Sequence, residues 1–207
     1  MIGLFGGTFD PIHFGHLRTA LDVQEALGLA AVRFIPARHP PHRAAPGVAP
    51  TQRAEMVRLA LADQTDFVLD TLELDRLGPS YTIDTLVAST ASASSTLVLI
   101  MGADAFAGLP TWHRWEALLD YAHIAVMNRP GVALVADRFP KGWLERVLVT
   151  DSDALRTASF GHVINLPVTQ LAISGTDLRT RVATGKSLRY LVPEAVRAYI
   201  EYHRLYR

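Results

Sequence analysis

The 207-residue chain contains no cysteine and no long hydrophobic run. Without cysteine it cannot form a disulfide, a thiolate metal site or a cysteine nucleophile. A helix that spans a membrane needs about 18–20 apolar residues in a row, and no stretch approaches that length. The opening MIGLF lacks the basic residues and longer apolar core of a secretory signal, so we expect it to belong to the mature fold. These absences fit a reducing compartment, and we expect a cytoplasmic protein.

An excess of charge is also missing, because 20 Lys and Arg residues balance 20 Asp and Glu residues. No overall field attracts nucleic acid or an anionic membrane, so we expect neither as a partner. Lys141 and Lys186 are the only lysines, and arginine carries nearly all the positive charge. Arginine suits bidentate contacts to phosphate and carboxylate groups. Hydrophobic residues at 49% and charged residues at 19% indicate a folded globular protein, and the length fits a single domain.

Short apolar runs alternate with amphipathic stretches along the chain. Strands are predicted at 2–5, 32–35, 67–70, 96–101, 123–127 and 162–166, helices at 15–27, 51–62, 81–89, 112–120 and 174–184 with a last helix opened by Pro193, and loops at 36–50 and 128–140. In helix 51–62 the apolar spacing places Arg53 on a polar face. This alternation predicts an α/β fold, a Rossmann-like doubly wound parallel sheet. We expect one domain over 1–207, with a short C-terminal helical segment at about 174–207.

The segment GGTFDPIHFGH, residues 6–16, follows the first predicted strand and opens the first helix. Helix N–H groups and the helix dipole favour an anion at such a junction. Gly6 and Gly7 allow backbone amides to approach a ligand, and His13 and His16 can both point toward it. By itself the segment stays open between a tight turn with two solvated histidines, a weak zinc pair without a third ligand nearby, and a phosphate site.

Two segments together resemble the signatures of the (T/H)xGH nucleotidylyltransferases: His13-Phe14-Gly15-His16 matches the first, and ISGTDLR at 173–179 matches ISxTxxR. By itself ISGTDLR is also an ordinary helix capping box, and Gly175 stands where serine is commoner in the family. The resemblance implies that both signatures hold ATP phosphates. It assigns catalytic roles to His13, His16 and Arg179, and ATP binding to Gly6, Gly7, Thr8, Phe9, Gly15, Ile173, Ser174 and Thr176.

The middle of the chain is similar to bacterial nicotinate mononucleotide adenylyltransferases over nearly the whole length. The matching segments are PPHR, SYTIDTL, GADAF, LPTWHRWEALLDYAHIAVMNRPG and YLVPEAVRAYI, in the family's order. The resemblance implies that Trp112 stacks on the nicotinate ring. It further implies substrate binding by His42, Arg43, Thr82, Thr85 and His113, with Gly102 and Asp104 near the nucleotide riboses. The remaining histidines His39, His123, His162 and His203 are interpreted as structural or solvated, as is the imidazole of His113.

The activity that the resemblance implies is adenylyl transfer from ATP to nicotinate mononucleotide, which gives nicotinate adenine dinucleotide and pyrophosphate in NAD biosynthesis. Mg²⁺ is the expected cofactor, bound mainly through ATP phosphates without a protein metal site. Three alternatives stay open: nicotinamide mononucleotide as acceptor, pantetheine phosphate as acceptor, and a non-catalytic nucleotide-binding module. The oligomeric state is also open, a homo-oligomer included.

Overall fold

A computed structural model describes residues 1–39, 47–92 and 95–207. Within them seven strands form one sheet in the order β3-β2-β1-β4-β5-β7-β6. The strands are β1 (Ile2–Gly7), β2 (Ala31–Pro36), β3 (Phe67–Leu69), β4 (Leu97–Gly102), β5 (His123–Asn128), β6 (Leu148–Val149) and β7 (Val163–Pro167). The sheet is parallel and helices flank it, so the predicted Rossmann-like α/β fold is confirmed.

The helices connect the strands and follow the last of them. They are α1 (Phe14–Leu27), α2 (Pro50–Ala60), α3 (Leu72–Asp75), α4 (Thr82–Ser92), α5 (Ala103–Ala107), α6 (Trp143–Val147), α7 (Ala154–Thr157), α8 (Gly175–Ala183) and α9 (Glu194–Tyr202), with 3₁₀ helices at Leu109–Thr111 and Trp115–Asp120. Helices α8 and α9, which follow β7, confirm the predicted C-terminal helical segment. Among the described residues, none of the helices combines the length and the apolar character needed to cross a bilayer.

The prediction of a helix over 112–120 is wrong. Trp112 has an extended backbone with φ −80° and ψ 149°, and Arg114 adopts a left-handed conformation with φ 52°. A residue in that conformation interrupts a right-handed helix, so only a 3₁₀ helix forms, and it begins at Trp115. The sequence does not predict strand β6, because this strand has only two residues. Its Leu148 is exposed, so β6 does not form a buried apolar run.

The chain divides into two compact units, each built from separate stretches of sequence. Unit 1 comprises Met1–Phe5, Thr19–Val32 and Tyr81–Thr169, and unit 2 comprises Gly6–Arg18, Arg33–Ser80 and Gln170–Arg207. That the chain is a single nucleotidylyltransferase domain stays a prediction.

The core of unit 1 lies on the central strands. β4 pairs in parallel with β5, and β5 pairs in parallel with β7. Consecutive residues of β5, among them Ile124 and Val126, are almost completely buried. Strands of a parallel sheet covered on both faces read as such continuous apolar runs, which is why the sequence identified them.

The core of unit 2 contains an aromatic cluster and a pair of helices. The ring of Phe34 lies 5.8 Å from that of Phe9 and 5.1 Å from that of Phe67, measured between centroids. Helix α2 packs against α9. The prediction that Arg53 lies on a polar face of its helix is wrong, because its side chain is completely buried in this core. The two terminal nitrogens of its guanidinium donate to backbone carbonyl groups, which the sequence pattern does not reveal.

His123 is structural, as interpreted from the sequence. It is completely buried in unit 1, and its Nδ1 accepts a hydrogen bond of 3.1 Å from the backbone N–H of His162. The proton therefore resides on Nε2, which donates to the carbonyl oxygen of Ala158 at 3.1 Å. Burial lowers the pKa of His123, and the neighbouring His162 lowers it further.

The folded state should therefore lose stability in mild acid. Below about pH 6.5 the unfolded chain protonates His123 while the fold keeps it neutral, so the free energy of unfolding falls as the pH falls. Urea unfolding at about pH 7.5 and pH 5 measures this slope, and His123→Gln should reduce it relative to the exposed control His203→Ala. An unchanged slope in His123→Gln would contradict the assignment.

Candidate active site

The segment with the two histidines links β1 to α1, as predicted. The imidazole rings of His13 and His16 stack with centroids 3.7 Å apart and planes 25° from parallel. The backbone N–H of His13 donates to Nδ1 of His16 at 3.3 Å. Since Nδ1 of a neutral imidazole accepts only when the proton is on the other nitrogen, His16 carries its proton on Nε2. The ring of Phe9 packs edge-on against the imidazole of His16, with the ring centroids 5.2 Å apart.

His13 is a neutral imidazole at physiological pH. Its side chain is buried, and burial lowers its pKa from 6.5 to about 4. Its Nδ1 has no hydrogen-bond partner among the residues that the structure describes. A buried polar atom without a hydrogen-bond partner is costly unless a ligand or water satisfies it, so a bound ligand is one explanation for this atom.

Gly15 makes room for the His13 ring. A Cβ atom at position 15 would lie 2.9 Å from Nδ1 of His13 and 3.8 Å from the carbonyl oxygen of Ile173. The ring is buried and stacked, so it could not move aside without losing those contacts. Glycine at this position is therefore required by the packing of the histidine pair, and it brings the 173–179 segment alongside.

Arg179 joins the two signature segments within unit 2. Its Nη1 donates to the carbonyl oxygen of Asp10 at 2.7 Å, and its Nη2 donates to the hydroxyl of Thr176 at 3.2 Å. The carboxylate of Asp10, 3.8 Å from Arg179 Nη1, also accepts a 2.6 Å hydrogen bond from the hydroxyl of Tyr206. Burial and this hydrogen bond raise the pKa of Tyr206, so the phenol stays protonated. Asp10 and Tyr206 are members of this network that the sequence reasoning missed.

Ser174 caps helix α8, and the capping-box interpretation is correct for this residue. Its hydroxyl oxygen accepts from the N–H of Asp177 at 3.2 Å. The hydroxyl proton is not used by that bond, so it can still donate to an anion. Gly175, the first residue of α8, approaches the turn so closely that a Cβ atom would lie 2.9 Å from the carbonyl oxygen of Asp10. Any residue with a side chain at this position would have to shift that contact.

The remaining residues predicted for the first turn lie in the same unit. A Cβ atom at Gly6 would project into open space. A Cβ atom at Gly7 would lie 2.9 Å from ring carbons of Phe9. Phe9 has φ 47°, an uncommon conformation for a residue with a side chain, and is held by burial. Thr8 offers its carbonyl oxygen to Arg53 at 2.6 Å. His42 and Arg43 lie outside the described residues.

The residues predicted to bind the pyridine ring belong to unit 1. Trp112 is half-buried, and His113 is exposed with its ring 4.4 Å from that of Tyr81. Thr82 begins helix α4, and the buried Thr85 hydroxyl donates to the carbonyl oxygen of Tyr81 at 3.4 Å. The segments SYTIDTL and TWHR therefore meet through Tyr81 and His113.

The two residues predicted near the riboses lie at the end of the fourth strand. Gly102 is the last residue of β4, and Asp104 is exposed in the first turn of α5. Their proposed contacts with a nucleotide stay predictions.

Comparison with known proteins identifies the family. A family model described as cytidylyltransferase-like matches residues 4–181. A curated relative from Hydrogenovibrio crunogenus, named "Probable nicotinate-nucleotide adenylyltransferase", is 48% identical over 208 residues, which cover 100% of this chain and 98% of the relative. One of the same name from Pseudomonas fluorescens is 49% identical over 212 residues, with 100% and 97% covered. This chain belongs to the nicotinate-nucleotide adenylyltransferase family.

A solved structure supports the fold of this family at much lower identity. The nicotinic acid mononucleotide adenylyltransferase of Plasmodium falciparum, complexed with NaAD, superimposes with a TM-score of 0.72 at 17% identity, over 99% of this chain and 96% of that one. The curated relatives confirm the resemblance seen in the motifs, and they confirm the prediction that the chain is an enzyme, a nucleotidyltransferase.

The neutral state of His13 in this family member can be measured directly. A titration of the imidazole Cε1–H resonances by NMR should show one histidine with a midpoint near 4, because its cation would be buried without solvation. The loss of that resonance in His13→Ala assigns it. A midpoint at or above 6.5 would contradict the buried, unpaired environment described for His13.

Proposed function

We propose that this chain transfers the adenylyl group of ATP to nicotinate mononucleotide, as its family membership implies. An oxygen of the mononucleotide 5′-phosphate attacks the α-phosphorus of ATP in line. The bond from that phosphorus to the oxygen bridging to the β-phosphate breaks, pyrophosphate leaves, and nicotinate adenine dinucleotide forms. No nucleophile from the protein is needed, because the attacking oxygen is already anionic.

The observation that supports this function best is the contact between the two signature segments. Arg179, from the second segment, donates to the backbone of Asp10 in the first across 169 positions of sequence. At Gly175 a Cβ atom would lie 2.9 Å from the same carbonyl oxygen. One compact unit thus gathers helix N-termini, imidazole donors, a hydroxyl and a guanidinium. These are the donor types that stabilise transferring phosphoryl groups, and catalysis would consist of positioning and charge stabilisation.

Each donor has a proposed task. Nε2–H of His16 donates to an α- or β-phosphate oxygen, and His13 completes the same side as a neutral donor. Arg179 and Ser174 hold the pyrophosphate that leaves. Since His13 is neutral, the fixed positive charge of this unit comes mainly from arginine. The backbone of residues 6–9 and of Gly15 contacts the phosphates, with Ile173 and Thr176 supporting the second segment.

Mg²⁺ is proposed as the cofactor, carried by the nucleotide. Among the described residues there is no group of three or more His, Asp or Glu side chains arranged to hold a metal. The carboxylate of Asp10 is already engaged by Tyr206 and Arg179, and that of Asp177 pairs with Arg181. These side chains therefore fit a cation that is coordinated by phosphate oxygens and water instead of protein ligands. That is the usual arrangement for Mg²⁺ in nucleotide sites. When bound, the ion would neutralise charge on the β- and γ-phosphates.

The acceptor end is assigned to unit 1. Trp112 is proposed to stack on the pyridine ring, and Thr85 with the backbone of Trp112 and His113 to receive its carboxylate. A carboxylate held by N–H and O–H donors is not replaced well by a neutral amide, whose NH₂ would face those donors. Thr82, Gly102 and Asp104 would contact the nucleotide, and His42 and Arg43 the substrate phosphate. We place the reaction in the cytoplasm, without a nucleic-acid or membrane partner.

The experiment follows pyrophosphate release by the purified protein with ATP, Mg²⁺ and either nicotinate or nicotinamide mononucleotide. Product should form with both ATP and nicotinate mononucleotide present, and the nicotinamide compound should be used less efficiently. If neither acceptor gave product, the proposed function would be refuted.

His16→Ala should reduce turnover by roughly 10²–10³-fold, since it removes one donor aimed at the phosphates. The circular dichroism spectrum and melting temperature show whether the variant remains folded. His203→Ala, an exposed histidine in the same unit, is the matched control and should keep wild-type turnover. Near-normal turnover in His16→Ala would remove this residue from the mechanism.

A further inference from the structure

Arg53 is a cation sealed inside unit 2. It lies in the first turns of α2 and has 0% of its surface exposed. A charged side chain is almost never completely buried unless its charge and hydrogen-bonding groups find partners. A side chain with no exposed surface cannot itself touch a nucleotide. Any effect of Arg53 on the reaction must therefore pass through the groups that it holds.

Those groups are backbone carbonyls of two loops. Nη1 of Arg53 donates to the carbonyl oxygen of Thr8 at 2.6 Å. Nη2 donates to the carbonyl oxygen of Ala37 at 2.7 Å and reaches that of Arg38 at 3.5 Å. Thr8 belongs to the first loop, residues 8–13, which follows β1 and leads to the histidine pair proposed to bind ATP phosphates. Ala37 and Arg38 belong to the second loop, residues 37–39, which directly precedes the segment containing His42 and Arg43.

The second loop is also joined to the end of β1, directly before the first loop, without Arg53. The backbone N–H of Ala37 donates to the carbonyl oxygen of Gly7 at 2.9 Å. Farther along the second loop, the N–H groups of Arg38 and His39 donate to the hydroxyl of Ser80 at 3.1 and 3.3 Å. Backbone hydrogen bonds thus hold the second loop in place beside the first. The guanidinium of Arg53 links the two loops from their buried side.

The shape of the guanidinium suits this bridge. Its two terminal nitrogens point in fixed directions, so they can fix two carbonyls relative to each other, whereas the single ammonium of lysine cannot do so in the same geometry. Burial lowers the pKa of Arg53, while the negative charge of Asp10 favours its protonated form. Arginine nevertheless remains protonated in proteins, so both donors persist at working pH.

We propose that Arg53 is a positioning residue, which fixes the loop that binds ATP phosphates against the loop that leads to the acceptor's phosphate-binding residues. This inference rests on the proposed function for its catalytic consequence. The bridge itself is a property of the protein without ligands, so it can be tested separately. Loss of the bridge should let the two loops separate and misplace the reacting phosphates, because sub-ångström to 1 Å errors in such alignment are costly.

The first test is amide hydrogen exchange in the protein without ligands. In Arg53→Met, which keeps the length of the side chain, the Ala37 amide should exchange at least about tenfold faster relative to amides of helix α9. Arg58→Met is the matched control, because Arg58 lies on the same helix but is exposed and pairs with Glu55. The control should leave Ala37 exchange unchanged. Equal exchange at Ala37 in wild type and Arg53→Met would overturn the proposal.

The second test is kinetic and separates positioning from stability. Rates are measured per folded molecule, well below the melting temperature of each variant. Arg53→Met should lower kcat/KM for ATP and for the acceptor by roughly 10–100-fold, with a fall in kcat itself. Arg58→Met should stay within about twofold of wild type. A lower melting temperature with wild-type kcat and KM would mean that Arg53 only stabilises the fold, and would overturn the proposal.

Arg53→Lys covers the case in which Arg53→Met does not fold. Lysine keeps the buried charge, but its ammonium cannot donate to both the Thr8 and the Ala37 carbonyl in the same geometry. Arg53→Lys should therefore show faster Ala37 exchange than wild type and an intermediate loss of kcat/KM. Wild-type exchange and kinetics in Arg53→Lys would overturn the proposal. If wild-type protein forms no pyrophosphate, the proposed function fails, whereas the exchange result for the bridge stands on its own.

Discussion

The hydrogen bond from Arg179 to the carbonyl oxygen of Asp10 is the contact on which the proposed phosphate site depends. It is 2.7 Å long and joins the turn after the first strand to the start of α8. Neither segment alone surrounds an anion, because each supplies only one helix N-terminus and a few donors. Once joined, they present imidazole, hydroxyl, guanidinium and backbone N–H groups within one unit. Asp10 is fixed in turn by Tyr206, so a residue near the C-terminus helps set the geometry of the first loop.

In unit 2, histidine and arginine have different electrostatic roles: the buried His13 is neutral, and the arginines carry most of the positive charge. Burial keeps His13 neutral, and its stack with His16 leaves little room for solvent to stabilise a cation there. Arginine is charged at all working pH values, so Arg179 can supply positive charge where ligand is expected, and Arg53 supplies it beneath the loops. Neutral donors and fixed cations in these places favour a polyanionic ligand without requiring a histidine to titrate.

Much of this arrangement was predictable from the sequence because its signals are local. The buried strands appear as continuous apolar runs, and the two signatures keep their residue types at fixed spacing. Arg53 was assigned to the wrong face because helical spacing counts arginine as polar, while its burial depends on carbonyls from distant loops. Helix 112–120 was wrong because the left-handed turn at Arg114 has no signature in residue type. Tyr206 and Asp10 were missed for the same reason as Arg53, since their pairing exists only after folding.

A crystal structure of the protein with a non-hydrolysable ATP analogue and Mg²⁺ tests the joined signature segments most directly. We expect the phosphates to contact the backbone of residues 6–9, the His13–His16 pair, and the Ser174 and Arg179 side chains. The hydrogen bond from Arg179 to Asp10 should persist in that complex. Phosphates bound elsewhere on the chain, without contacts to these groups, would show that the two segments do not form the phosphate site.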